Sequence, residues 1–124
     1  MSASVPAESL PAVTRVTSAD GVDIAVHDLG GRGPAVVLAH ATGLHGLVWK
    51  PLAAELSDHF HCVALDARGH GDSGVPRELD FAWEGLAGDV LAVVDGLGLE
   101  RPFGLGHSSG GAAMFLAEQA RPGT

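Results

Sequence analysis

The sequence predicts an α/β protein: an opening β-hairpin followed by a β-α-β-α-β-α run that builds a mostly parallel sheet. Three observations carry this. Ala35-Val-Val-Leu-Ala39 and His61-Cys-Val-Ala-Leu65 are apolar at all or nearly all positions, the pattern of short strands buried on both faces. Between and after them, apolar residues recur at helical spacing. Strand-like and helix-like segments therefore alternate, which specifies parallel strands joined by right-handed helical crossovers.

The elements follow in order. Residues 1–12 are mostly small and polar with two prolines, and read as a flexible arm ahead of one domain at 13–124. Val13-Thr-Arg-Val-Thr17 alternates weakly and Val22-Asp-Ile-Ala-Val-His27 clearly, with the Asp20-Gly21 turn signal between them, so a hairpin is expected. Gly30-Gly-Arg-Gly-Pro34 breaks the chain before the first buried strand. Trp49, Leu52, Ala53 and Leu56 then mark one helix, and Trp83, Leu86, Val90, Val94 and Leu97 the apolar stripe of another. Pro102–Gly106 is a short strand. The segment Ser109–Glu118 is a helix apolar nearly all round, so it is expected to be buried on most sides.

Composition narrows the function. Fifteen acidic residues against seven basic ones give a net charge of −8, and Lys50 is the single lysine. Nucleic-acid binding needs clustered basic residues and is not expected. Hydrophobic residues make up 46% of the chain, enough for a packed core. Cys62 is the only cysteine, so no internal disulfide forms, and its place in a strand predicts a buried, inert thiol. No basic-then-apolar leader and no apolar run near 18 residues is present, so the expectation is a cytoplasmic protein with no membrane partner.

The segment that carries chemistry is Gly106-His107-Ser108-Ser109-Gly110, a G-x-S-x-G pattern between a strand and a helix. A serine attacks well only when its hydroxyl is exposed to a substrate on one side and a base on the other. A tight strand-to-helix turn achieves that exposure in a strained backbone. The residues two before and two after the serine then crowd each other, so both must be small, as Gly106 and Gly110 are. Gly111 adds room for the helix against the sheet. The turn also sets Ser108 at a helix N-terminus, where free N–H groups stabilise an oxyanion.

Two further segments occur in the same order: His40-Ala41-Thr42-Gly43 after the first buried strand, and Asp66-Ala-Arg68-Gly-His70-Gly-Asp-Ser73 after the second. Together the three motifs resemble the α/β-hydrolase family, in its esterase, epoxide-hydrolase and C–C-hydrolase-like branch, over residues 13–124. The resemblance implies the N-terminal half of that fold, with Ser108 as nucleophile. The substrate would be a small ester-like or other carbonyl compound cleaved through an acyl-enzyme, with no cofactor and no metal. The backbone N–H of Ser109 would be one oxyanion donor and that of Thr42 the other, with Ala41 the alternative; Ala41 stands where the family usually has glycine. By the same resemblance Asp66, Arg68 and His70 tie down a loop beside the site, His40 is a positioning residue rather than a base, and His107 points away. A nucleophilic serine rather than aspartate argues against epoxide-hydrolase and haloalkane-dehalogenase chemistry. Ester, thioester, amide, lactone and C–C cleavage stay open.

The family's triad runs serine, then Asp or Glu, then histidine, whereas Glu118 and no histidine follows Ser108. The expectation is a truncated chain, inactive by itself, whose strand at Phe103–Gly106 becomes an open apolar edge prone to self-association. The second reading is a non-catalytic binding protein on the same fold. Gly104-Leu-Gly106-His-Ser-Ser109 resembles G-x-G-x-x-G but has serine for the last glycine, and no acidic residue ~20 positions later follows it. His59-Phe-His61 could share one strand face, yet no cysteine or H-E-x-x-H spacing completes a metal site, so surface histidines are expected.

Overall fold

The computed structural model describes residues 12–78 and 80–124. The expected arm therefore lies outside the described residues, except that Ala12 opens the first strand. That strand, β1 (Ala12–Thr17), pairs antiparallel with β2 (Asp23–Gly31), Thr17 opposite Asp23. The turn between them closes with Ser18 N–H donating to Val22 O at 2.8 Å, and Gly21 supplies the left-handed φ of 89°.

The remaining elements are β3 (Ala35–Ala39), a 3₁₀ turn (Gly46–Trp49) running into α1 (Lys50–Leu56), β4 (His61–Leu65), α2 (Trp83–Gly96), β5 (Phe103–Gly106) and α3 (Ser109–Ala120). The sheet order is β1-β2-β4-β3-β5. β3 is parallel to both β4 and β5, while β2 is antiparallel to β1 and β4. Four of the five strands thus run one way and β2 runs against them, as the alternation of elements predicts.

Side-chain alternation along the strands decides the layers. Val36, Leu38, Cys62 and Ala64 pack under α1 around Ala53, with Trp49, Leu56 and Phe60 at the margin. Val37, Ala39, Val63 and Leu65 face the other way, against Val90, Val93 and Val94 of α2 and Ala113 and Ala117 of α3. Each fully buried Val or Leu contributes ~1.5–3 kcal/mol of transfer free energy, so a strand apolar on both faces holds both helix layers. Cys62 is fully buried, and burial pushes its thiol pKa up. Among the described residues, no helix is long and apolar enough to cross a membrane.

Two expectations need correction. Trp83 does not join the core stripe: it is 51% exposed, and α2 buries Ala87, Asp89, Val90, Val93 and Val94 instead. The first turn of α2 stands beside the ends of β3 and β4, where the sheet gives way to a cavity. Nor is α3 buried on most sides. It buries Gly110, Ala113 and Ala117, while Phe115 is 68% exposed. β5 is bonded to β3 alone and is the last strand in the order, so no described element covers that flank. Phe103 and Leu105 of β5 are exposed there too, with the Phe103 ring edge-on to Phe60 at 5.7 Å.

Candidate active site

The turn from β5 into α3 is closed by backbone alone. His107 N–H donates to Ala39 O at 3.0 Å and Gly110 N–H to His107 O at 3.0 Å. Ser108 caps α3 with φ 56° and ψ −117°, a region that costs a non-glycine residue ~1–3 kcal/mol. The glycines explain why the turn can be so tight. A Cβ on Gly106 would lie 2.4 Å from the Gly110 carbonyl, and one on Gly110 would lie 2.1 Å from Ala39 O. A Cβ on Gly111 would meet Gly106 O at 3.3 Å, a tight contact without collision. Ser108 and His107 are both exposed.

The loop after β3 runs beside this turn. Thr42 Oγ1–H donates to Ser109 Oγ at 2.9 Å, joining the loop to the first residue of α3. His40 and His70 lash the same loop to the one after β4. Ala67 N–H donates to His40 Nε2 at 3.0 Å, and Gly43 N–H donates to His70 Nε2 at 2.9 Å. An N–H donor requires a bare acceptor nitrogen, so each ring carries its proton on Nδ1. Those protons go to Ala41 O (2.8 Å) and Arg68 O (2.9 Å). Both rings thus have both nitrogens occupied by backbone, with centroids 5.1 Å apart. Burial pushes the His40 pKa down, only partly opposed by the Ala41 carbonyl.

Below lies a polar layer. Asp66 is buried and accepts from Gly46 N–H (2.6 Å), Asp72 N–H (2.8 Å) and His27 Nε2 (2.8 Å). Burial is the largest single influence and acts to raise its pKa. The three donors together outweigh it and hold the carboxyl below its ordinary value. Arg68 is fully buried with all five N–H bonds used. Nε and Nη2 pair with Asp89 at 2.9 and 2.7 Å, Nη1 and Nη2 with Asp20 at 2.7 and 3.1 Å, and Nη1 also reaches Asp80 O at 3.2 Å. The Asp89 hydrogen bonds lead in raising the guanidinium pKa, and Arg68 in turn lowers that of Asp20. Gly85 makes this approach feasible, since a Cβ there would sit 2.7 Å from Nη1.

Sequence reasoning missed Asp89, Asp20 and His27. A signal existed for Asp89: it is a carboxylate on the helix face shared by Leu86, Val90 and Val93, where a charge survives only with a partner. For Asp20 and His27 the sequence holds no comparable signal. His27, Asp66 and Asp72 cluster closely enough to suggest metal ligands. His27 Nε2 and the Asp66 carboxylate are engaged with each other, and Asp66 also accepts from the Gly46 and Asp72 backbone N–H groups, so these two side chains read as a hydrogen-bonded unit. His59 falls in the turn before β4 and does not share a strand face with His61, whose Nε2 meets Asp28 Oδ1 at 2.7 Å.

Between the elbow and α2 lies a cavity of about 440 Å³ at the C-terminal ends of β3 and β4. Thr42, Ser109 and the two histidines line it together with Phe81, Trp83, Leu86 and Val90. The turn from β5 into α3, at a strand end beside a cavity, has the strand–turn–helix context that a G-x-S-x-G sequence requires to form a nucleophile elbow. Residues 36–122 match the alpha/beta hydrolase family, and the chain belongs to that family, of which it carries the N-terminal part of the fold.

Individual relatives agree. The chain is 37% identical over 97 residues to the pimeloyl-[acyl-carrier protein] methyl ester esterase of Methylococcus capsulatus, covering 77% of this chain and 35% of that one. It is 34% identical over 107 residues to the N-formylmaleamate deformylase of Pseudomonas putida, covering 86% and 40%. Among solved structures, the epoxide hydrolase of Vigna radiata superposes with a TM-score of 0.82 at 26% identity, covering 95% of this chain and 37% of that one. The chain therefore spans well under half the length of the relatives it matches.

Proposed function

We propose that this chain supplies the nucleophile and oxyanion half of a serine hydrolase that cleaves an ester-like or other carbonyl bond. The observation that carries the reading is Ser108 itself, exposed at positive φ at the N-terminus of α3 between two glycines with no room for a side chain. Ser108 Oγ attacks the carbonyl carbon, its proton passes to a base, and the leaving group departs to give an acyl-enzyme that water then hydrolyses. The backbone N–H groups of Ser109 and Thr42, with Ala41 as the alternative to Thr42, take the developing oxyanion. Serine in the nucleophile's place supports acyl chemistry rather than epoxide opening.

His40 and His70 act as loop positioners, because both nitrogens of each ring are engaged by backbone. Neither is available as the base. A triad serine without its base loses ~10⁴–10⁶ in rate, so the 124-residue chain alone turns over little or no substrate. The same engagement of both histidines favours a second reading, a ligand-binding protein without turnover.

A chimera separates the two. Residues 13–122 replace the matching segment of the Methylococcus esterase, whose remaining segment supplies the rest of the domain. A fluorophosphonate should then label Ser108, as mapped by peptide mass spectrometry, and Ser108→Ala should abolish labelling. Labelling that survives Ser108→Ala, or its absence from a folded chimera, overturns the serine-hydrolase reading in favour of the binding one.

A further inference from the structure

We propose that the cavity beside the elbow receives an uncharged apolar group of the substrate, in the size range of a six- to ten-carbon ester (roughly, from its volume), and rejects a carboxylate there. The assignment deepens the serine-hydrolase reading and rests on it for the word substrate; the selectivity itself rests on the lining. The cavity holds about 440 Å³. At ~30 Å³ per water-sized group this is room for roughly fifteen non-hydrogen atoms, and for fewer with ordinary loose filling.

Its walls settle the polarity. Leu65, Leu86, Val90 and Ala113 are apolar, and Phe81 and Trp83 stand half-exposed at the cavity with no place in either core cluster. Phe81 packs on Gly69 within the β4–α2 loop: a Cβ on Gly69 would come within 2.7 Å of its ring. The titratable groups of the lining are His40, His70 and Asp89, and none offers a free charge. Each histidine directs its ring proton to a carbonyl and its bare nitrogen to an N–H. Asp89 is bound by both its oxygens to Arg68, whose five donors are all engaged. A carboxylate entering here would lose its water and find no cation in return. The Thr42 hydroxyl already donates to Ser109 Oγ, which leaves the Ser109 hydroxyl as a neutral donor suited to an uncharged carbonyl compound.

The test titrates the 124-residue chain by ligand-observed NMR at pH 7 with methyl hexanoate and with monomethyl succinate. Methyl hexanoate should bind at least ~10-fold more tightly. Phe81→Ala and Trp83→Ala, at positions outside the buried core, should each weaken it ~3–10-fold without lowering the melting temperature. No binding of methyl hexanoate, equal or tighter binding of monomethyl succinate, or binding insensitive to both substitutions overturns the assignment. Binding needs no chemistry, so it is read independently of labelling. Selective binding alongside a chimera that fails to label would therefore sink the serine-hydrolase reading alone, and a labelled Ser108 without selective binding would sink the cavity assignment alone.

Discussion

Two turns flank the cavity, and each follows a parallel strand of the same sheet, yet they are held by opposite means. After β4, side chains hold the chain: Asp66 gathers three donors and Arg68 distributes five. After β5, the backbone closes the turn by itself, and Gly106 and Gly110 are needed for the atoms they lack. The first turn depends on its buried polar partners and the second on the absence of a carbon at Gly106 and Gly110. On the serine-hydrolase reading the contrast has a physical basis. A foundation can be buried and saturated, whereas a turn that displays a hydroxyl to substrate cannot have side chains crowded around it.

The sharpest way to break the contrast is to remove the cation from the saturated turn. Arg68→Met leaves Asp89 buried and unpaired and should cost ~3–5 kcal/mol, read by urea denaturation. Asp20→Asn, which removes the part-exposed partner of the same guanidinium, should cost ~1 kcal/mol or less. Equal losses would contradict the picture of a deep anchor and a peripheral one. On the other side, Gly110→Ala drives a carbon into the Ala39 carbonyl and should cost ~1–3 kcal/mol or more. Gly111→Ala, one residue on, should stay within ~1 kcal/mol of wild type.

Ser108→Gly sharpens the comparison in the opposite sense. It relieves the positive φ and should stabilise the fold by about 1 kcal/mol while removing the proposed nucleophile. A drop in stability would mean the elbow is not strained. The smallest effect is titration of the loop lashing. His40 sits below the ordinary imidazole value of about 6.5, so the unfolded chain takes up that proton first. Stability should therefore fall as pH drops below about 6.5 toward the lower folded value. Asp66, held below its ordinary value, contributes stability above pH ~4 that is lost as pH falls through its depressed folded value. Melting temperatures from pH 7 to 5 should show the first slope in wild type and a flatter one in His40→Gln. An unchanged slope would remove His40 from the account.

Much of the architecture is legible in the sequence because each element writes its own local pattern. Ala35–Ala39 and Cys62–Leu65 are apolar without alternation since both faces are covered. Gly106-x-Ser108-x-Gly110 is readable because the steric demand of the turn falls on residues two apart from the serine. Trp83 and Phe115 were not legible: each fits a helical apolar pattern, and pattern alone does not report where the sheet beneath a helix stops.

The sequence by itself therefore determined the kinds and order of the elements, the hairpin, and the turn that exposes Ser108, all consequences of side chains within a few residues of one another. The tertiary structure alone decided that Arg68 would meet Asp20 across 48 positions and Asp89 across 21, and that His27 would meet Asp66 across 39. It also decided that both cavity histidines would spend their nitrogens on backbone. Partnerships of that kind depend on which strands lie side by side, and β4 lies between β2 and β3 in a sheet whose two faces are covered by helices.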